Sequence, residues 1–161
     1  MTTNKQLDMD FVRSQFPGLS KGWVLFDNAG GSQILKSAVE RINTFLFDKN
    51  VQIGGSYEVS QKAAEALLEA RTSAMHLVNA SRPEEIVFGS STTALLQNLA
   101  RAMQSQLSKG DEIIVTVADH ESNIGPWDRL QSAGIKVKFW PLDREQLRLD
   151  LKDLEPLMTD R

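Results

Sequence analysis

The hydrophobic residues of the chain recur with two spacings, one typical of amphipathic helices and one typical of short buried strands. Five stretches predict helices, either by this spacing or by a capping residue at their start: residues 35–47, 60–79, 94–107, 127–132 and 151–158. Four short apolar runs predict strands: residues 23–27, 86–88, 111–117 and 137–140. Because strands and helices alternate along most of the chain, the pattern predicts an α/β fold with a mainly parallel sheet and flanking helices.

The first residues of the chain predict a separate helical lead-in. Asp8 or Asp10 can cap a short helix that runs through Gln15 and ends before a Pro-Gly pair. We therefore divide the chain into a lead-in over residues 1–20 and one α/β domain over residues 21–161. Nothing in the pattern closes the predicted sheet, so we expect this domain to be incomplete.

Polar residues at the predicted helix ends indicate where the helices start and stop. Ser60 is expected to cap the longest helix, and Asp150 the last one. Ser122 or Asn123 can cap the helix near residue 127, and Gly134 is expected to end it.

The overall composition excludes several classes of protein. The chain has 161 residues, no cysteine and a net charge of -3, with lysines and arginines scattered rather than clustered. This argues against a nucleic-acid partner, disulfides and thiolate chemistry. No apolar run approaches the roughly 20 residues that span a bilayer, so we expect no membrane partner and a cytoplasmic protein.

Hydroxyl side chains cluster between a predicted strand and the helix that follows. Ser90, Ser91, Thr92 and Thr93 stand where backbone N–H groups and the positive end of a helix dipole can bind a phosphate. The alternative is an ordinary N-cap with surplus hydroxyls. A P-loop is not indicated, because the Gly-Lys-Ser/Thr ending is absent.

One of the two histidines follows the strand predicted over residues 111–117. There His120 can lie flat on a planar ligand ring or exchange protons with it. The alternative is a structural histidine that is hydrogen-bonded to Asp119 or to a loop carbonyl. A metal site is not expected, because the other histidine, His76, lies on a helix far from any carboxylate cluster.

Four stretches occur in one order that is similar to the N-terminal portion of the class V aminotransferase family, whose cofactor is pyridoxal 5′-phosphate (PLP). They are LFDNAGGSQ (25–33), GGSYEVSQKAAEALLEAR (54–71), VFGSSTTALLQNLA (87–100) and DEIIVTVADHESNIGPW (111–127). The chain most resembles the cysteine desulfurase-like group, which is related to the SufS type. The resemblance covers essentially residues 10–161.

The resemblance implies a fold, a cofactor and a set of site residues. It implies part of the large domain of a fold-type I PLP enzyme, a homodimer in the full-length relatives, and an amino-acid substrate that undergoes C–S cleavage or amino transfer. Thr92 and Thr93 would bind the cofactor phosphate, and His120 would be catalytic, stacking on the pyridine ring and assisting proton transfer. The substrate pocket would be bordered by Asn28, Ala29 and Gly30.

The chain departs from the family pattern at several positions. Glu121 replaces a second histidine, Ala94 replaces a common Glu, and Tyr57 stands near the position of another family histidine, so the resemblance leaves the substrate open. The Schiff-base lysine and the aspartate that pairs with the pyridine nitrogen cannot be matched here, and Lys62 and Lys109 look like solvated residues. We therefore expect an N-terminal part of an enzyme, either a fragment or a truncated gene product, that is inactive alone.

Two further hypotheses belong to other functional classes. One is a non-catalytic α/β module that binds a phosphorylated small molecule through Thr92 and Thr93. The other is an interaction protein whose partner is a complementary fragment of the enzyme.

Overall fold

A computed structural model describes residues 6–161 of the chain. The chain forms two compact units, Met1–Ile86 and Val87–Arg161. No helix within residues 6–161 combines the length and the apolar composition that crossing a bilayer requires. The predicted lead-in over residues 1–20 extends partly outside the described residues, because its first five positions are not among them.

The first unit is helical. Its elements are α1 (Met9–Ser14), a 3-10 helix (Pro17–Lys21), α2 (Lys36–Asp48), α3 (Glu58–Val78) and a second 3-10 helix (Pro83–Glu85). Asp8 rather than Asp10 caps α1, since its Oδ1 accepts the Phe11 N–H at 3.0 Å. The lead-in helix and the two long helices predicted in this half of the chain are therefore present.

Ser60 does not cap α3, and that prediction is wrong. The helix begins at Glu58, and Ser60 lies within its first turn, fully buried. Its hydroxyl donates to the Gln52 carbonyl at 2.8 Å and accepts the Gly55 N–H at 2.9 Å. The side chain therefore binds the loop before the helix, because burial requires both of its hydrogen-bonding functions to find partners.

Two predicted strands, residues 23–27 and 86–88, are not in a sheet. Neither segment forms a ladder of backbone hydrogen bonds with another strand in the part of the chain that the structure describes. Their apolar side chains are exposed, with Trp23 at 70%, Phe26 at 92% and Val87 at 70%. An apolar run becomes a strand only when a neighbouring strand pairs with it, and neither run has such a neighbour within residues 6–161.

The second unit contains a small parallel sheet with helices. Its elements are α4 (Thr92–Gln104), β1 (Glu112–Thr116), α5 (Glu121–Asp128), a 3-10 helix (Arg129–Ala133), β2 (Lys136–Trp140), α6 (Leu151–Leu154) and a 3-10 helix (Glu155–Leu157). β1 and β2 pair in parallel, from Glu112 opposite Lys136 to Thr116 opposite Trp140. The predicted strand–helix–strand order is therefore present in this unit.

The helix predicted over residues 127–132 starts earlier than expected. α5 begins at Glu121 and its N-cap is His120, so the prediction of Ser122 or Asn123 as the cap is wrong. Gly134 ends the following 3-10 helix with a left-handed φ of 88°, as predicted. Asp150 caps α6, accepting the Lys152 N–H at 3.1 Å.

The core of the second unit lies between the helices and the sheet. Ala100 of α4, Leu130 and Ile135 are buried together, and three partly buried side chains pack on them: Leu107, Ile113 and Trp127. This packing holds α4 and α5 against each other, so the loops before both helices belong to one packed body.

An ion-pair cluster lies at the N-terminal end of β1. The Glu112 carboxylate accepts hydrogen bonds from the Lys138 ammonium and, at 2.6 Å, from the Thr159 hydroxyl. These bonds, led by that of Lys138, lower the pKa of Glu112 to about 2. The cluster thus ties the two strands and the C-terminal segment together at the end of β1 opposite the His120 loop.

Candidate functional site

The N-terminus of α4 leaves backbone N–H groups free. Ser91 is extended, and its Oγ caps the helix by accepting the Ala94 N–H at 3.1 Å. Thr92 and Thr93 follow as the first helical residues, and both side chains are exposed. Across residues 6–161 neither threonine finds an acceptor for its N–H or its hydroxyl. Two backbone donors and two hydroxyls are therefore available to an anion, at the positive end of the helix dipole.

Gly89 allows the loop to approach α4 closely. A Cβ at this position would lie 2.6 Å from the Leu95 Cδ2, well inside van der Waals contact. The glycine therefore lets the Leu95 side chain lie directly beneath the loop. The sequence indicates Gly89 only as part of a polar turn, since the approach of Leu95 depends on the folded helix.

His120 is held at the N-terminus of α5 by one of its ring nitrogens. Nδ1 accepts the Ser122 N–H at 3.0 Å and lies 2.9 Å from the Ser122 hydroxyl. Because a ring nitrogen that accepts a backbone N–H carries no proton, the neutral imidazole has its proton on Nε2. The ring is otherwise exposed, so Nε2 and the ring faces are open to a ligand.

The loop before α5 is ordered by Asp119. Its Oδ1 accepts the His120 N–H at 2.6 Å, and its Oδ2 accepts a hydrogen bond from the Asn123 amide. The Asn123 Oδ1 in turn accepts the indole N–H of Trp127 at 3.2 Å. These three side chains line an open groove of about 640 Å³ beside β1. The alternative of a structural histidine hydrogen-bonded to Asp119 or to a loop carbonyl is met only in part: Asp119 binds the backbone N–H of His120, whereas the imidazole binds Ser122.

The three predicted substrate-pocket residues lie in the first unit, on an exposed turn. The Asp27 Oδ1 accepts the Gly30 N–H at 3.0 Å, and the Gly31 N–H reaches the Asn28 carbonyl at 3.4 Å. A Cβ at Gly30 would lie 2.5 Å from the Asp27 Oδ2, so a larger residue at this position would displace the carboxylate that binds the turn. The turn displays the Asn28 and Ala29 side chains to solvent.

The predicted solvated role of Lys62 agrees with its contacts. The Lys62 ammonium pairs with the Glu58 carboxylate at 2.5 Å on the exposed face of α3. The hydrogen bond that Lys62 donates to Glu58, together with the Glu58 charge, raises the pKa of Lys62 and keeps the amine protonated. A protonated amine is not a nucleophile, so Lys62 is not suited to form a Schiff base.

Comparisons with known proteins identify relatives over nearly the whole chain. Residues 24–161 match the family model described as Aminotransferase class-V. The aminotransferase-like protein FGM3 of Gibberella zeae is 40% identical over 99% of this chain and 40% of that protein. A cysteine desulfurase of Synechococcus elongatus is 32% identical over 96% of this chain and 26% of that protein.

A solved structure has the same fold. The apo cysteine desulfurase of Thermococcus onnurineus NA1 superposes with a TM-score of 0.83 and 30% identity, covering 94% of this chain and 38% of that one. The predicted fold class, part of a fold-type I PLP enzyme, is thereby confirmed. This chain spans about 40% or less of the length of these three relatives.

Proposed function

Because this chain belongs to the class V aminotransferase family, we propose that it carries the phosphate-binding and ring-binding residues of a cysteine desulfurase-like enzyme that acts on an amino acid. Enzymes of this family depend on PLP. The observation that carries the proposal is the pair of free N–H groups at Thr92 and Thr93, in the same packed unit as an exposed His120 ring. The reaction of the whole enzyme would be C–S cleavage or amino transfer.

The N-terminus of α4 fits the phosphate group of PLP. Phosphate oxygens accept hydrogen bonds, and Thr92 and Thr93 offer backbone and hydroxyl donors at one helix end. Neither residue carries charge, and no acidic side chain stands in the first turn of α4. A dianionic phosphate would therefore meet only donors and the favourable end of the dipole at these residues.

His120 fits the aromatic ring of PLP. Its Nδ1 is occupied by the Ser122 N–H, so the imidazole is held at one edge while its faces remain exposed. PLP, when bound, supplies an electron sink for the α-carbon of an amino acid. His120 would cover one face of the pyridine, exclude water from it, and hold or move a proton at Nε2.

The turn at residues 28–30 is proposed to border the substrate. Support comes from its exposure and from the Asp27 hydrogen bond that shapes it. Asn28 offers an amide that can donate to a substrate carboxylate.

A homodimer, the state that the resemblance implies for the full-length relatives, is also proposed. Apolar side chains on α2 and α3 are exposed in the first unit, among them Ile42, Leu46 and Leu68. An exposed apolar surface of this kind is typical of a protein interface. Sedimentation of a full-length relative that carries glutamate at the position equivalent to Leu68 tests this proposal. An unchanged dimer would contradict a role for this face.

The experiment that tests the phosphate assignment compares ligands and two variants. Equilibrium titrations of the chain with PLP and with pyridoxal, which lacks the phosphate, are followed by absorption and calorimetry. We expect PLP to bind at least about tenfold more tightly than pyridoxal, because hydrogen bonds to a charged group contribute about 1.5–3 kcal/mol each. Equal binding of the two ligands would exclude the phosphate site.

Two substitutions at one position separate the backbone donor from the hydroxyl. Thr92→Pro removes both the N–H and the hydroxyl, and the extended Ser91 before it is compatible with proline at the first helical position. Thr92→Val removes the hydroxyl and keeps the N–H. We expect both to weaken PLP binding without changing pyridoxal binding, with the larger loss for the proline variant. Tight PLP binding without any change in its absorption would favour the non-catalytic phosphate-binding module instead.

A further inference from the structure

We propose that Asn123 and Trp127 are positioning residues that keep the Asp119 carboxylate on the backbone of His120 and off its imidazole ring. The proposal rests on the proposed role of His120 toward PLP. It adds two residues whose side-chain hydrogen bonds go to Asp119 and to each other, not to the His120 ring or to Thr92. Their hydrogen bonds determine whether the Asp119 carboxylate binds the backbone N–H of His120 or its imidazole ring.

In the network from Trp127 through Asn123 to Asp119, the donor and the acceptor of each hydrogen bond are fixed. The Trp127 indole N–H can only donate, so the Asn123 atom that meets it at 3.2 Å must be the carbonyl oxygen Oδ1. The Asn123 NH₂ group then points at the Asp119 Oδ2, to which it donates. The other carboxylate oxygen, Oδ1, accepts the His120 N–H. Each member thus has a fixed role, and the amide cannot flip without losing two bonds.

The network is anchored in the core of the second unit. Trp127 is partly buried and packs against Ala100, Leu130 and Ile135. Asn123 is partly buried as well, and its own N–H donates to the His120 carbonyl at 2.8 Å. Asp119 and His120, in contrast, are exposed. The packed indole therefore fixes the position of two exposed groups through a single amide side chain.

The alternative arrangement is available to the sequence. Asp119 is adjacent to His120, and a carboxylate attracts a protonated imidazole. If the Asn123 amide were absent, the Asp119 Oδ2 would lack its donor, and turning toward the ring would restore one. Asp119 and the Ser122 N–H would then compete for the Nδ1 atom of His120. Binding to the Asp119 carboxylate requires a proton on Nδ1, whereas accepting the Ser122 N–H requires that Nδ1 carry none. The network prevents this, leaving the proton on Nε2.

The test follows the ring nitrogens of His120 by NMR in the 161-residue chain without ligand. The variants are Trp127→Phe, which keeps an aromatic ring and removes the donor, and Asn123→Ala. The matched control is Trp140→Phe, because the Trp140 indole N–H makes a bond of similar length, 3.1 Å, to the Asp150 carbonyl in the same unit. Thermal unfolding of every variant measures the purely structural loss.

We expect the unchanged chain and Trp140→Phe to give the nitrogen shifts of an imidazole protonated at Nε2. We expect Trp127→Phe and Asn123→Ala to move these shifts toward the other tautomer or toward the doubly protonated ring at the same pH. His120 shifts in both variants that equal those of Trp140→Phe would overturn the proposal. If Trp127→Phe does not fold, Asn123→Ala decides alone, since it removes the amide without touching the core.

PLP titration of the same variants separates this proposal from the function it rests on. We expect Trp127→Phe and Asn123→Ala to weaken PLP binding about fivefold, the factor of one ordinary hydrogen bond, with Trp140→Phe unchanged. A chain that binds no PLP but shows the expected nitrogen shifts would refute the proposed function and leave the positioning role standing. A chain that binds PLP equally well in all variants, with unmoved shifts, would refute the positioning role alone.

Discussion

The second unit contains two helices, α4 and α5, that each begin with an extended residue whose side chain caps a backbone N–H. They differ in how many backbone N–H groups remain free for a ligand. Before α4, Ser91 caps one N–H and leaves those of Thr92 and Thr93 free. Before α5, two donors are already taken, because Asp119 binds the His120 N–H and the imidazole binds the Ser122 N–H. α5 also carries Glu121 in its first turn, whereas the first turn of α4 has no acidic residue.

This difference shows that a helix dipole does not make an anion site by itself. Both helix ends carry partial positive charge. At α5 that charge faces the Asp119 and Glu121 carboxylates, and a phosphate there would meet their repulsion and fewer free donors than at α4. At α4 it faces neutral hydroxyls. The two junctions can therefore divide the binding of PLP, with the phosphate at one and the ring at the other.

The largest expected effect comes from making α4 resemble α5. Thr92→Glu places a carboxylate at the start of α4. There its negative charge interacts favourably with the positive end of the helix dipole but repels phosphate. We expect PLP binding to weaken by about 30-fold or more while the melting temperature stays the same or rises. Calorimetric titration and thermal unfolding measure the two quantities, with Thr92→Gln as the uncharged control. Retained PLP affinity in the Glu variant would mean that the phosphate binds elsewhere.

Removing either helix cap should lower the free energy of unfolding by a similar amount, but only one of the two removals should affect bound PLP. Ser91→Ala and His120→Ala each remove one side-chain acceptor of a backbone N–H. Each is expected to lower the free energy of unfolding by about 1 kcal/mol. Only His120→Ala should change the absorption of bound PLP, because only His120 would contact its ring. Identical spectra for the two variants would contradict the assignment of the ring to His120.

A smaller effect on stability is expected from His120→Asn. Asparagine is a good N-cap, so this variant should keep the α5 cap and cost only a few tenths of a kcal/mol. It should nevertheless lose the ring contact with PLP as completely as His120→Ala does. Urea unfolding and PLP titration, run on both variants, separate the cap from the ring. If the Asn variant binds PLP like the unchanged chain, the ring is not part of the site.

The smallest effect near neutral pH is expected from Glu112, which contacts neither helix start and lies at the other end of β1. Its pKa is lowered to about 2 from an ordinary value of 4.5. A lowered folded-state pKa means that the stabilisation is complete above pH 4.5 and is lost as pH falls toward 2. We expect Glu112→Gln to flatten the dependence of melting temperature on pH across this interval. If the melting temperature of Glu112→Gln falls with acid as steeply as that of the unchanged chain, other carboxylates are responsible for the acid sensitivity.

Local signals in the sequence predicted the elements whose formation depends on nearby residues. The spacing of apolar positions located α2, α3, β1 and β2 to within a few residues. Asp150 was identified as a cap, and Asp8 as one of two candidates with Asp10, because a cap binds a backbone group only two or three positions away. The hydroxyls of Thr92 and Thr93 were placed at a helix start for the same reason, since their neighbourhood is their own helix turn.

Tertiary packing decided the rest. Ser60 binds Gln52 and Gly55 because the fold buries it, and the apolar run at 23–27 stays unpaired because no strand among the described residues lies beside it. His120, not Ser122, caps α5, and Asp119 binds the backbone of His120 instead of its ring, a choice that we propose depends on Trp127 in the core and on Asn123. Sequence spacing names the groups that can form hydrogen bonds, but the choice among competing partners depends on which side chains burial has already immobilised.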